Sequence, residues 1–577
     1  VKSNLATTIS AAILGTLACV ICLFSLYLTW TLRWDGPFRD LWEFVPDIEK
    51  QFRGEWSWHY LLDPYGGAHR LLLPKLLFFA DNYWWGGRNL LTTFVALLCQ
   101  AIYAALLWRF LANEKSLSAE ERGIIAASFL IALFSTSQIS NFLYAMDVQW
   151  HMSNVLGLAS LCALISGSRL SHVILFLLLA AAAALCNFTG LMALPVGAAI
   201  LFCRDRKNHS TRVWLTVSLI AVLCLLYGQH EKNTQHIVVQ VLKQSEDWRV
   251  SVYVIGDTLQ KMLIYMLRYL ASPLSRQWPI TGNAVSLASC GIALLYAVRY
   301  LRRPHCLSTW QQLCLAICGY ILLSATATAF GRLIYPNSAI NERYQTLVLP
   351  FLPAVAGLLW PDLSQRWRNT ATVAWLGLFG LFLLLAQMAS AHNMAQLSRS
   401  VNLSHTAARA AVLEFPYINA TLSYPLLKNK INSVKDNDNF LRSEKLGYFQ
   451  TLQQYLLDSH IPNDQTLPAC TGSASITRDN DTGTVVIDGN LRFNHQTVVD
   501  IVVLQPLPQN SAANTDWTIV GFGLLLRPEN NLLPLSWQPA DESRFRAFVR
   551  TDRLRADTPL SLLGIRDSAA ACLLTLP

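Results

Sequence analysis

Long apolar runs recur along the first two thirds of this chain, at about 5–30, 89–111, 123–140, 150–167, 172–187, 190–203, 213–229, 283–301, 310–330, 345–360 and 371–391. Many approach the length needed to cross roughly 30 Å of hydrocarbon. Inside lipid every backbone N–H and C=O must find a partner within the protein, so runs of this kind must be helices. The expectation is a polytopic α-helical membrane protein with about eleven spans. Composition agrees: 53% of the residues are hydrophobic and only 14% charged, where a soluble chain would carry nearer a quarter charged. Eighteen Trp and nineteen Tyr suit the two membrane–water interfaces. The net charge of +9 is then no nucleic-acid signal, and no nucleic-acid partner is expected, because much of the excess sits in short loops.

Those loops give the sidedness. Arg109, Lys115 and Arg122, then Arg169, Arg204, Arg206, Lys207 and Arg212, then Arg299, Arg302 and Arg303, then Arg366 and Arg368 all fall on one face. The bias of Lys and Arg toward cytoplasmic loops makes that face the inner one. The N-terminus is expected inside and, after an odd number of spans, the C-terminus outside. The opening run is too long for a signal-peptide core and is followed by no small-residue cleavage site, so it reads as a retained helix. Residues 252–272 alternate apolar positions with Asp257, Lys261 and Arg268, and read as an amphipathic helix in the interface rather than a span.

Three regions follow: a transmembrane region over 1–392, a polar helical connector over 393–465, and a region over 466–577 with short alternating runs separated by turn residues. The runs at 484–488, 497–504, 517–522, 545–550 and 561–565 predict a small β-sandwich. Of the thirteen cysteines, Cys470 and Cys572 alone lie in this polar part and bracket its strands. A disulfide between them is expected outside the cytoplasm.

The outer face receives the unusual chemistry. The loop 31–88 carries Asp35, Asp40, Trp42, Glu43, Asp47, His69 and Arg70, and ionisable groups beside a bilayer are costly unless solvated, paired or used. Nucleotide-activated donors are made in the cytoplasm, so a membrane enzyme working outside would use a sugar on a polyprenyl phosphate. That transfer needs a carboxylate to take a proton from the acceptor hydroxyl, cations to neutralise the departing phosphate, and apolar surface for the lipid. Asp40 and Asp35 are the candidate bases. His69, Arg70, Arg332 and Arg343 are the candidate cations.

Asp40, Trp42, Phe44 and Pro46, followed by Gly66, Gly67, Ala68, His69, Arg70 and Pro74, resemble the first outer loop of bacterial multi-span GT-C glycosyltransferases. So do the turn holding Gly331, Arg332, Glu342, Arg343 and Tyr344, and Asp147, Gln149 and Trp150 at the mouth of the fourth span. The resemblance covers roughly 1–392 and implies the GT-C fold, an acidic base in the first outer loop, basic residues on the lipid phosphate and inversion at the sugar. It places Tyr344 with the donor site, and Trp42, Glu43, Asp147 and Gln149 with the acceptor or pocket. The family often carries an acid directly before the His–Arg pair. Ala68 stands there, which shifts weight onto Asp35 and Asp40. The β-rich tail is similar in placement to carbohydrate-binding sandwiches appended to some lipid-linked glycosyltransferases.

Plainer roles stand beside these. Asp40 would cap a juxtamembrane helix, Asp35 precedes the turn residues Gly36 and Pro37, and Glu43 with Asp47 would form a solvated face. His69, Arg70, Arg332 and Arg343 would anchor to headgroups, and Tyr344 would join an interfacial belt. The strings at 436–438 and 479–481 match a D-x-D pattern but lie in the polar tail, so no metal site is assigned. The expected activity is transfer of a sugar from a polyprenyl phosphate to a glycan or glycolipid acceptor. The expected location is the outer face of a bacterial inner membrane, with membrane lipids as further partners and no cofactor beyond the lipid-linked donor. The alternatives are a transporter or lipid flippase, and a non-catalytic envelope scaffold.

Overall fold

The computed structural model describes residues 5–31, 33, 36–37, 39–55, 57, 61, 71–167, 169–204, 248–275, 278–332, 336–363, 367–368, 370–371, 375, 440–441, 443–444, 446, 460–461, 467–479, 483–492, 500–506, 517–526, 543–555, 558–566 and 569–576. The chain forms two compact units. The first is Val1–Arg33, Trp56–Phe79 and Leu91–Ser390; the second is Trp34–Glu55, Ala80–Leu90 and Ala391–Pro577.

The first unit is helical and has the make-up of a multi-pass membrane protein. Among the described residues, seven stretches are long and apolar enough to cross a membrane: Leu5–Trp30, Leu90–Leu111, Ala119–Leu143, Ala145–Ser166, Pro279–Arg302, Thr309–Gly331 and Glu342–Asp362. Several turn large apolar side chains outward, such as Ile9, Ile13, Val20 and Leu23 on the first and Leu287, Leu294 and Leu295 on the fifth. Water would penalise such faces and lipid does not. The opposite faces meet in one core that includes Leu14, Phe129, Phe176, Trp310 and Phe351.

Among the described residues, seven of the eleven expected runs have that length and apolarity. The runs expected at 172–187 and 190–203 form the shorter apolar helices Leu170–Ala184 and Phe188–Arg204. A helix of 15 residues rises only about 22 Å. Asn187 turns the pair, its side chain accepting from Thr189 N at 3.1 Å. The helices pack closely, since a Cβ on Gly197 would lie 2.2 Å from the Phe176 ring. The run at 213–229, and that at 371–391 apart from Ala371 and Trp375, lie outside the described residues. Of residues 252–272, all but the last two fall in the helix Trp248–Leu270. It exposes Ile255, Leu259 and Leu263 on one stripe and buries Tyr265 and Tyr269 on another, the amphipathic form expected.

One end of the first unit gathers the arginine-rich loops and fastens them. Ser118 and Ser308 open their helices with capping boxes to Glu121 and Gln311. Arg368 donates to Leu363 O at 2.8 Å, Ser116 O at 2.9 Å and Pro361 O at 2.8 Å, and lies 3.5 Å from the Glu121 carboxylate. Asp362 accepts from Tyr296 at 2.8 Å and Gln311 at 3.2 Å and pairs with Arg299. Arg204 closes the end of the helix Val148–Ser166 by donating to Leu164 O and Gly167 O, each at 2.8 Å.

The second unit contains an antiparallel β domain. Its strands are β1 (His460–Ile461), β2 (Thr471–Asp479), β3 (Thr484–Arg492), β4 (Asp500–Pro506), β5 (Trp517–Leu526), β6 (Ser543–Arg550), β7 (Ser561–Arg566) and β8 (Ala569–Thr575). They run in one sheet, β2-β3-β6-β5-β4-β7-β8, with β1 on β5. The ends are tied: Ala469, just before β2, bridges to Leu573 of β8, Cys470 N donates to Leu573 O at 2.9 Å, and Cys470 and Cys572 form the expected disulfide. The domain is thus one barrel-like sheet rather than the two separate sheets of a sandwich. Alternate residues Val485, Ile487, Leu491, Ile501, Val503, Phe545, Ala547 and Val549 fill the core. The other face carries a buried row in register across five strands, Val486, Phe548, Phe522, Val502 and Leu563. Most of the connector expected to be helical lies outside the described residues, and His460–Ile461 at its end is strand.

Candidate functional site

In the first unit the end away from the arginine clasp is built from interrupted helices. Ala119–Leu133 stops at Phe134, a 3-10 turn covers Thr136–Gln138, Ile139–Leu143 makes little more than one turn, and Ala145–Asp147 leads into Val148–Ser166. Residues 131–150 are buried without interruption. Irregular backbone at membrane depth is tolerated only where protein or a lined cavity satisfies it. Here side chains do so. Gln138 Nε2 donates to Ala132 O at 3.2 Å and Leu133 O at 2.5 Å, and Ser25 Oγ donates to Phe134 O. These are carbonyls the ending helix leaves open.

The turn that follows Thr309–Gly331 meets this segment. Arg332 caps the helix end, Pro336–Ile340 and Glu342–Tyr344 are 3-10 turns, and Gln345–Val348 and Phe351–Leu359 continue inward. Asn141 Nδ2 donates to Glu342 O at 3.0 Å, Arg343 O at 3.4 Å and Thr346 Oγ1 at 2.7 Å. Asn154 Nδ2 donates to Thr346 O at 3.1 Å. Gln100 lies 2.9 Å from His151 Nδ1, and His151 Nε2 lies 3.3 Å from Asn141 O. Gln149 accepts from Asn187 at 2.7 Å. Rings pack alongside in a row: Trp150 to Tyr344 at 5.5 Å, Tyr344 to Tyr269 at 5.2 Å, Tyr269 to Tyr265 at 6.2 Å. Tyr265 also meets Ser338 at 3.1 Å. Burial pushes its phenol pKa up, Tyr344 adds to the rise, and the Arg332 guanidinium opposes it.

The mouth of the fourth span, with Asp147, Gln149 and Trp150, and the turn holding Arg332, Arg343 and Tyr344, both singled out in the sequence, are therefore brought together. Arg332 and Arg343 are half-buried at either end of the second. Tyr344 is buried inside the ring row rather than standing in an interfacial belt. Asp147 and Gln149 are both buried, which excludes simple solvation of a helix end. Asn141, Gln100 and Asn154 were not singled out from the sequence, because one amide in an apolar run has no periodic signature.

The second unit holds the acidic segment. Asp40 lies in the 3-10 turn Arg39–Phe44, half-buried, while Glu43 is exposed and Asp47 half-buried. The helix Val45–Phe52 that follows has Phe44 as its N-cap, with no side-chain cap, so capping of that helix is not what Asp40 does. Leu41, Phe44, Val45 and Ile48 are buried and hold the segment. Asn89, at φ 56°, donates its Nδ2 to Gly36 O at 2.7 Å and its backbone N–H to Asp81 Oδ2 at 2.7 Å. That pins the start of the acidic segment to the turn before Leu90. Asp81 is only 1% exposed, and Lys75, in the helix Leu72–Trp85, only 3%; neither was marked by sequence reasoning. Asp35, His69 and Arg70 lie outside the described residues, as does the side chain of Trp42. Among the described residues no group of three His, Cys, Asp or Glu side chains is placed to hold a metal ion.

Compared with known proteins, the chain matches no family model, no curated protein and no solved structure.

Proposed function

We propose that the chain is an inverting glycosyltransferase that moves a sugar from a polyprenyl phosphate to a cell-envelope glycan or glycolipid on the outer face of a bacterial inner membrane. The observation that carries the reading is the pairing of two irregular segments, one buried and one half-buried, at the end of the helical unit away from the arginine clasp, with Arg332 and Arg343 on the half-buried one. Arginine forks match phosphate geometry, and exposed apolar faces on neighbouring helices suit a polyprenyl tail. Asp40, with Asp35 second, takes the proton from the attacking hydroxyl. The sugar's bond to the phosphate oxygen breaks as the bond to the acceptor oxygen forms, and Arg332, Arg343, His69 and Arg70 neutralise the charge left on the phosphate. The β domain holds the glycan acceptor. The test is transfer by the purified chain in lipid nanodiscs. Asp40→Asn is expected to lower the rate by roughly 10²–10⁴ and Arg343→Gln by roughly 10²–10³, each with unchanged membrane insertion. Wild-type rates in both variants would overturn the assignment.

Interrupted helices also favour a second reading, a flippase for the same lipid, because discontinuous helices line the sites of many transporters. It predicts lipid movement across the bilayer without transfer, and indifference to Asp40→Asn.

A further inference from the structure

Asn141 holds the backbone of an arginine it does not neighbour in sequence. The carbonyl of Arg343 accepts from Asn141 Nδ2 at 3.4 Å, the preceding carbonyl of Glu342 accepts from the same nitrogen at 3.0 Å, and Thr346 Oγ1 accepts at 2.7 Å. From the other side, Asn341 Oδ1 accepts from the Arg343 backbone N–H at 3.3 Å. Both peptide groups of Arg343 are thus engaged by asparagine side chains.

Asn141 is itself held. It is 1% exposed, as is His151. The His151 ring stacks on Phe142 at 4.8 Å. Gln100 Nε2 can only donate, so His151 Nδ1 accepts, the ring proton sits on Nε2, and Nε2–H donates to Asn141 O. A donor amide on the Leu90–Leu111 helix thereby sets a tautomer that fixes Asn141, and Asn141 fixes the turn carrying Arg343. Each member is uncharged, and the cluster lies in an apolar interior where an unpaired amide is expensive. Losing one member therefore leaves its partners unpaired rather than resolvated.

We propose that Asn141, oriented by His151 and Gln100, is a positioning residue that preorganises Arg343 as an anion-binding cation; its link to phosphate rests on the role given to Arg343 above. An arginine on a fixed backbone gives up less freedom when it binds phosphate than one on a mobile loop.

Two readouts on the full chain in nanodiscs test this. Hydrogen exchange of residues 342–346 reads the clamp. Asn141→Ala is expected to speed it about tenfold, the worth of one buried hydrogen bond, and the isosteric Asn141→Asp, which turns an acceptor toward three acceptors, by more. Affinity for polyprenyl monophosphate, with polyprenol as the phosphate-free probe, reads the purpose. Asn141→Ala is expected to weaken the phosphate lipid about tenfold and leave polyprenol unchanged. Asn154→Ala, which loses a buried bond to Thr346 O alone, is expected to lower the melting temperature comparably but spare phosphate affinity. Unchanged exchange in Asn141→Ala overturns the clamp. Faster exchange with unchanged phosphate affinity, or equal affinity losses in Asn141→Ala and Asn154→Ala, overturns the positioning role. If Arg343→Gln itself leaves phosphate affinity unchanged while Asn141→Ala speeds exchange, the clamp stands and the phosphate role of Arg343 falls.

Discussion

At the scale of single residues, polar side chains in this molecule mostly close backbone that the helices leave open. Asn89 is the sharpest case. It occupies the left-handed region that asparagine and glycine tolerate, and its side chain and backbone N–H reach Gly36 O and the buried Asp81 carboxylate. Asn89→Ala is expected to lower stability by roughly 1–3 kcal/mol. Asn89→Gly, which keeps the backbone conformation but loses the bond to Gly36, should cost less. Thermal melts of the two variants check the order, and an alanine variant as stable as glycine would contradict it. Sequence reading singled out Asp40 and Arg343 as candidates because a charged residue next to an apolar run stands out. It passed over Asn141 and Gln100, whose roles exist only through partners distant in the chain. It passed over Asp81 because a carboxylate that closes a turn looks like any other acid.

At the scale of elements, the outcome depended on how strong each periodic signal was. The strands β3, β4, β5, β6 and β7 carry short runs of β-branched, aromatic and other apolar residues between turn signals and were visible in advance. Thr471–Asp479 was not, because its side chains are small or polar and mostly exposed; it is a strand because it pairs with β3 along its whole length. The runs read as spans at 172–187 and 190–203 form the helices Leu170–Ala184 and Phe188–Arg204, shorter than the seven long apolar stretches, with Asn187 capping the turn between them. Two element-scale predictions follow from the fastenings. Arg368→Met leaves the Glu121 carboxylate, 2% exposed, without its cation and three carbonyls without a donor. The expected loss is about 3–5 kcal/mol, read as a lower melting temperature, and a variant that melts with the wild type would contradict it. Cys572→Ser opens a link spanning 102 residues where the sheet closes on itself. It should destabilise the β domain by about 2–5 kcal/mol, seen as earlier loss of strand signal on heating, with the helical signal melting as before.

For the whole molecule, the sequence was informative about class and less so about how the sheet closes. The apolar runs, the low charge and the β-rich tail were all legible, because they depend on composition and local period. The form of the sheet was not, because it depends on where the sheet's two ends meet. The segment around Asn141 and the turn around Arg343 lie together at the end of the helical unit away from the clasp formed by Arg204, Arg299 and Arg368.

The proposed chemistry turns on a carboxylate in the acidic segment that drives sugar transfer from a polyprenyl phosphate. The most direct measurement is release of polyprenyl phosphate and labelling of an envelope-glycan extract by the purified chain in nanodiscs loaded with polyprenyl-phosphate sugars, wild type against Asp40→Asn. The account predicts transfer by the wild type, and a variant that still binds the lipid but transfers roughly 10²–10⁴ more slowly. Lipid crossing the bilayer with its sugar still attached, at equal rates in both proteins and with no labelled glycan, would contradict it.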